Sequence, residues 1–185
     1  MTTRSRICLF LLFTICFSVS CLAAEPAGAA DIARSTQGYA IWPQNQKFVC
    51  NLGYTVVGCR WQRAIVQKMV VQYHREDLGD WTWVLVRAED WKDLMRKLHL
   101  NPESPAFTAL DLRETFLEES LITPKPERAK ELMDEFRIPL DELLDLAVTH
   151  ELGHAICHGG TEFMAEQFGK RLRAGLHPYC AELYP

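Results

Sequence analysis

The sequence predicts an α+β fold in a single domain, and three observations carry that expectation. Runs rich in β-branched and aromatic residues, at 81–87, 107–112 and 115–121, read as short strands of a small mixed sheet. Elsewhere apolar residues recur at three- and four-residue spacing, the pattern of helices with one buried face. No internal repeat or low-complexity tract breaks this pattern, so a single core is expected.

The first residues read as an address. Arg4 and Arg6 form a basic start, residues 7–19 an apolar run too short to span a bilayer comfortably, and small residues follow. Cleavage after Ala24, or as late as Ala29, makes residues 1–24 a signal peptide and 25–185 the mature domain. An uncleaved anchor and a lipid-carrying Cys21 are the competing readings, and Ser18-Val19-Ser20 lacks the leucine usual before such a cysteine. Residues 25–185 suffice for one buried core. Without Arg4 and Arg6, 18 basic side chains face 24 acidic ones, a net charge of −6. That balance argues against nucleic-acid binding. No stable membrane span is expected after cleavage, a monomer is expected, and the destination is the periplasm or the exterior.

Cys50, Cys59, Cys157 and Cys180 remain after cleavage, an even number suited to an oxidising compartment. Of the three pairings, local spacing favours Cys50–Cys59 and Cys157–Cys180. Four free buried thiols are the bland alternative.

In chain order, residues 31–46 show little periodicity and read as a lead-in loop. Residues 47–60, with Asn51-Leu52-Gly53 inside, suit a hairpin stapled by Cys50–Cys59. Ile65, Val66, Met69, Val70 and Tyr73 favour a helix over 61–74, with a strand as the alternative that the β-branched residues leave open. Trp81 and Trp83 share one face of the next strand and read as core. Asp90 suits the cap of a helix through Leu98. After strands at 107–112 and 115–121, Pro126 suits the first turn of a helix through Phe136. Pro139 opens a further helix, with Leu140, Leu143, Leu144, Ala147 and Val148 on its apolar face, running to His158 before Gly159-Gly160. Thr161 caps a last helix to about Ala174, with Lys170, Arg171 and Arg173 in its final turns.

The chemistry concentrates in His150-Glu151-Leu152-Gly153-His154. Histidines at i and i+4 share one helix face and can converge on one cation, and the glutamate beside them can reach a metal-bound water. With this composition, roughly 0.015 such strings are expected by chance, which favours a Zn2+ site over two surface histidines. Gly153 in a helix interior points to a close approach of neighbouring backbone. For the third ligand, Glu162, Glu166 and His158 are all open, since zinc accepts oxygen or nitrogen.

Around these residues the chain resembles gluzincin-type metallopeptidases. Glu162-x-x-Ala165-Glu166-x-Phe168-Gly169 is similar to the E-x-x-A-N/D-x-F-A segment of ImmA/IrrE-type peptidases, and His158 fits their H-E-x-x-H-x-x-x-H. The likeness covers roughly residues 108–174. It implies a zincin-like fold, an active-site helix followed by a ligand-bearing one, with Glu162 as third ligand. It also implies that Glu166 supports the site, that Ala165 lets the helices approach, and that 115–118 resembles the edge strand before the zinc helix. The short link between the helices, and Glu166 in place of Asn or Asp, depart from the pattern.

These residues lead to the expectation of an exported zinc metallopeptidase in which Glu151 is the catalytic base. A peptide or protein substrate would pair as a strand along residues 115–121. His158, His177 and Tyr179 are candidates to stabilise the oxyanion. A zinc-stabilised peptide-binding domain that does not cleave, and an amidase acting on cell-wall peptide, are the rival readings.

Overall fold

The computed structural model describes residues 40–42, 46–51, 53–73, 75, 78–158 and 160–183. The expected signal peptide and its expected cleavage site lie outside them. The fold is α+β. Strands β1 (Ala40–Trp42), β2 (Gln46–Cys50), β3 (Trp81–Val86), β4 (Ala106–Ala109) and β5 (Glu114–Glu118) form one mixed sheet in the order β1-β2-β3-β5-β4. The three inner strands β2, β3 and β5 are parallel, while β1 and β4 run antiparallel at the edges. Helix α1 (Val56–Gln72) links β2 to β3, and α2 (Ala88–Lys97) follows β3. Helices α3 (Pro126–Phe136), α4 (Leu140–Ile156) and α5 (Glu162–Arg173) complete the chain.

Alternation along β3 divides the core between two faces. Trp81, Trp83 and Leu85 point to one side, where they pack with Val66 of α1 and with Val148 and Leu152 of α4. Val84 and Val86 point to the other, against Trp91, Leu94 and Met95 of α2. Both tryptophans are therefore core residues, and their indole N–H groups are satisfied inside, Trp81 on Thr115 and Trp83 on Gln46.

Several sequence expectations hold with small shifts. Pro126 begins α3, Pro139 precedes α4, and Thr161 caps α5 by accepting a hydrogen bond from the Met164 N–H. Both favoured disulfides, Cys50–Cys59 and Cys157–Cys180, are present and fit an oxidising environment. No helix among the described residues is long and apolar enough to cross a membrane.

Other expectations are corrected. The hairpin over 47–60 is a strand followed by the first turn of α1, so Cys50–Cys59 ties strand to helix. Thr55 explains the early start: its hydroxyl accepts from the Gly58 N–H and caps the helix. The lead-in loop contains β1. Asp90 does not cap α2. Arg87 precedes that helix, and Asp90 instead receives hydrogen bonds from Asn51 and Arg87. Strand β5 ends at Glu118 and lies inside the sheet, between β3 and β4. The edge on this side is β4, so residues 115–121 cannot offer a free edge to a peptide.

Candidate metal centre

Helix α4 carries His150 and His154 one turn apart, and their Nε2 atoms converge to 3.2 Å. The Glu162 carboxylate closes a triangle, with Oε2 3.1 Å from His150 Nε2 and Oε1 3.4 Å from His154 Nε2. Among the described residues this is the one group of three metal-ligating side chains gathered closely enough to share an ion. A tetrahedral site with 2.0–2.1 Å bonds has edges of roughly 3.3–3.4 Å, so the triangle matches one face of such a site. Two imidazoles and a carboxylate are donors that zinc accepts. Burial, together with the charge of His154, lowers the His150 pKa, which keeps its ring neutral with a lone pair free to bind a cation; Glu162 opposes this more weakly. The Glu162 side chain is 84% exposed, so the triangle faces solvent on one side.

The packing of α5 on α4 brings the carboxylate there. Glu162 precedes Ala165 by three positions and Gly169 by seven, so it lies on the stripe of α5 that touches α4. Along that stripe the backbones meet. A Cβ at Gly153 would lie 2.7 Å from the Ala165 Cα, and one at Gly169 would lie 3.0 Å from the Thr149 carbonyl group and 3.1 Å from the His150 N. Arg173, one turn beyond Gly169, reaches Thr149 with a hydrogen bond from Nη1. Gly153 thus serves helix contact, as expected, and the partner it admits is Ala165.

Glu151 points into the protein. It is 5% exposed, and its Oε2 has no hydrogen-bond partner. Burial, aided by the charge of Glu162, raises its pKa to about 8, against a lowering hydrogen bond from Thr108. A carboxyl left this incompletely paired in a dry place is costly, and such groups concentrate at functional sites. A cation held by the neighbouring triangle would act in the opposite sense and favour the carboxylate.

In comparisons with protein-family models, curated proteins and solved structures, none matches this chain.

Not every candidate joins the cluster. Glu166 is exposed and draws on His150 only through its charge. His158 is excluded by the end of α4: the helix stops at Ile156, Cys157 caps it, and His158 turns to φ 28°. It therefore no longer continues the His150–His154 face. His177 lies beyond the far end of α5, about 18 Å from its first turn along a twelve-residue helix. Tyr179 stacks near the Arg75 guanidinium, which also covers Phe168. Neither shares the cluster's neighbourhood.

Sequence reasoning missed Thr108, Thr115 and Trp81 as neighbours of Glu151. The Trp81 indole donates to Thr115 Oγ1 at 3.0 Å, and Thr115 and Thr108 share a 2.9 Å hydroxyl contact. The Thr108 hydroxyl also stands 3.5 Å from the Glu151 carbonyl oxygen. The only available signal was a threonine in each of two strand-like runs, which strand propensity explains without further role.

Proposed function

We propose that this chain is an exported zinc-dependent metallopeptidase. The observation that carries the reading is the triangle of His150, His154 and Glu162 with the buried Glu151 beside it. His150, His154 and Glu162 would hold the zinc, leaving the exposed side of the triangle to water and substrate. When bound, zinc supplies Lewis acidity that polarises a carbonyl and eases deprotonation of water.

The remaining steps belong to the chain's own groups. Glu151, on the helix turn that carries His150 and His154, would accept the proton of the attacking water and pass it to the leaving amine. The wall that seals Glu151 from bulk water keeps that proton from leaking away. A peptide would lie along the outer edge of β4, the strand on which α4 packs through Thr108 and Glu151, and pair by backbone hydrogen bonds. The overall likeness to zincins rests on this arrangement of helix, glutamate and edge strand. Two disulfides agree with a periplasmic or secreted location.

A zinc-stabilised binder that does not cut is the rival from another class. It leaves Glu151 without a purpose, although the burial of that carboxyl with one oxygen unpaired opposes stability. The deciding experiment is Glu151→Gln, assayed by zinc content and by hydrolysis of fluorescein-labelled casein and a mixed peptide library. Retained zinc with loss of a hydrolysis seen in the parent supports the peptidase. A variant as active as the parent would exclude Glu151 as the base. Release of fragments from purified peptidoglycan, with no cleavage of casein or peptides, would redirect the same chemistry to cell-wall amides.

A further inference from the structure

Helix α1 is apolar on two sides, and one of them faces water. Its inner face, with Cys59, Val66 and Val70, packs into the core. Its outer face leaves Val56, Val57 and Trp61 at 62%, 77% and 52% exposure. Val57 and Trp61 are one turn apart and the exposed Ala64 follows three positions on, so the three share one stripe of the helix. A helix at the surface of a domain ordinarily turns polar residues to this side. Single exposed apolar side chains are commonplace, but a stripe of them around a half-exposed tryptophan marks a contact surface.

The charges on the same helix select the partner. Exposed Arg60 follows Val57 by three positions and exposed Lys68 follows Ala64 by four, so both cations stand within the stripe. With Arg63, α1 carries three basic residues and no acidic one. Residues 25–185 hold 18 basic and 24 acidic side chains, so outside α1 the balance is 15 against 24, a net −9. An anionic surface is therefore repelled by the bulk of the domain and attracted by this helix. The apolar area argues against a protein partner. A tryptophan buries at most about 250 Å2, so this half-exposed one and two valines offer on the order of 300 Å2, against roughly 800 Å2 per partner in a specific protein interface. A bilayer asks for less, because a short apolar stripe sinks to the headgroup boundary while arginine and lysine reach the phosphates. Tryptophan is a side chain that favours that depth.

We propose that the outer face of α1 docks the protein on an anionic phospholipid bilayer, with Val57 and Trp61 at headgroup depth and Arg60 and Lys68 against the phosphates. The helix lies on the surface and does not span it, since no helix among the described residues is long and apolar enough to cross. With so few inserted groups the docking is reversible, and salt weakens it by screening. The inner face of α1 belongs to the core that also holds Val148 and Leu152 of α4, so docking through the outer face leaves that core undisturbed. The inference is independent of the metallopeptidase reading.

The test is sedimentation of the exported protein with vesicles of equal parts phosphatidylglycerol and phosphatidylcholine, or of phosphatidylcholine alone. Parent and variants carry the same N-terminus. The parent is expected to bind the anionic vesicles roughly tenfold or more tightly than the neutral ones, and to lose most of that preference as salt rises from about 0.05 M to about 0.5 M. Val57→Ser with Trp61→Ser should weaken binding roughly tenfold. Arg60→Gln with Lys68→Gln should weaken it about 25-fold, at roughly fivefold for each charge near an anionic surface. All four side chains are exposed, so urea midpoints close to the parent's are expected. Lys68→Gln alone, expected to cost about fivefold, serves if either pair unfolds. A parent that binds neither kind of vesicle, or both equally, overturns the proposal. Variants that bind as tightly as the parent also overturn it, by assigning the binding to a part of the chain outside α1. A parent that ignores vesicles but forms a dimer broken by Trp61→Ser overturns it in favour of a second copy on this face.

Discussion

The contact between α4 and α5 makes a quantitative prediction for Gly153→Ala. An ideal Cβ at that position meets the Ala165 Cα at 2.7 Å and its carbonyl oxygen at 2.9 Å. Ordinary contact begins near 3.4 Å, so the helices must part locally by about 0.7 Å in a close-packed interior. Overpacking of this kind is destabilising by about 1–3 kcal/mol, while alanine regains up to about 1 kcal/mol of helix propensity. The net loss is therefore modest, about 0–2 kcal/mol. Metal binding should suffer more. The triangle is held at 3.1–3.4 Å by a carboxylate on the displaced helix, and workable sites tolerate about 0.2 Å in ligand distance. A zinc affinity at least tenfold weaker is expected, or about 1.4 kcal/mol. The assay is a competition titration against a chromophoric chelator, with urea unfolding of the stripped protein measured alongside. Gly169→Ala should behave similarly, because its Cβ meets the backbone of Thr149 and His150. Gly160→Ala is the control, since a Cβ there finds the Cys157 and Met164 side chains at an ordinary 3.4 Å. If Gly153→Ala binds zinc as tightly as the parent and Gly160→Ala does not, the helix contact does not place Glu162.

Other expectations can be checked by unfolding. Zinc added at a hundred times its Kd should stabilise the domain by about 2.7 kcal/mol, and a chelator should reverse the gain; a midpoint indifferent to both refutes the site. Replacing Cys157 and Cys180 together by alanine should lose about 3.4 kcal/mol, against about 2.6 kcal/mol for Cys50 and Cys59, because the closed loops span 23 and 9 positions. A reversed order in urea midpoints contradicts the loop argument. Arg128 donates from Nε and Nη2 to the buried Glu118 carboxylate, so Arg128→Ala should lose about 3–5 kcal/mol. The double change Arg128→Met with Glu118→Leu should lose less than half of that, since no buried charge is left alone; an equal loss would mean packing dominates.

What the sequence determined by itself is local. The caps and starts of α3, α4 and α5 depend on Pro126, Pro139 and Thr161, whose preferences act within one helical turn. The spacing of His150, Glu151 and His154 is likewise a property of one helix, so their placement around a shared point was legible before any fold was known. Both disulfides follow from cysteines close in the chain. Misreadings arose where a short signal was ambiguous: Val56 and Val57 favour a strand, yet the Thr55 cap and burial of Cys59 and Val66 draw them into α1. Only the tertiary structure decided the rest. It placed β4 outside β5, removed His158 from the histidine face by ending α4 at Ile156, and chose Glu162 over Glu166 through the contacts of Gly153 and Gly169. It also joined Trp81, Thr115 and Thr108 to Glu151, across three strands and a helix. The physical reason is range: caps and periodicity act over a few residues, whereas strand order and helix approach depend on how the whole core closes.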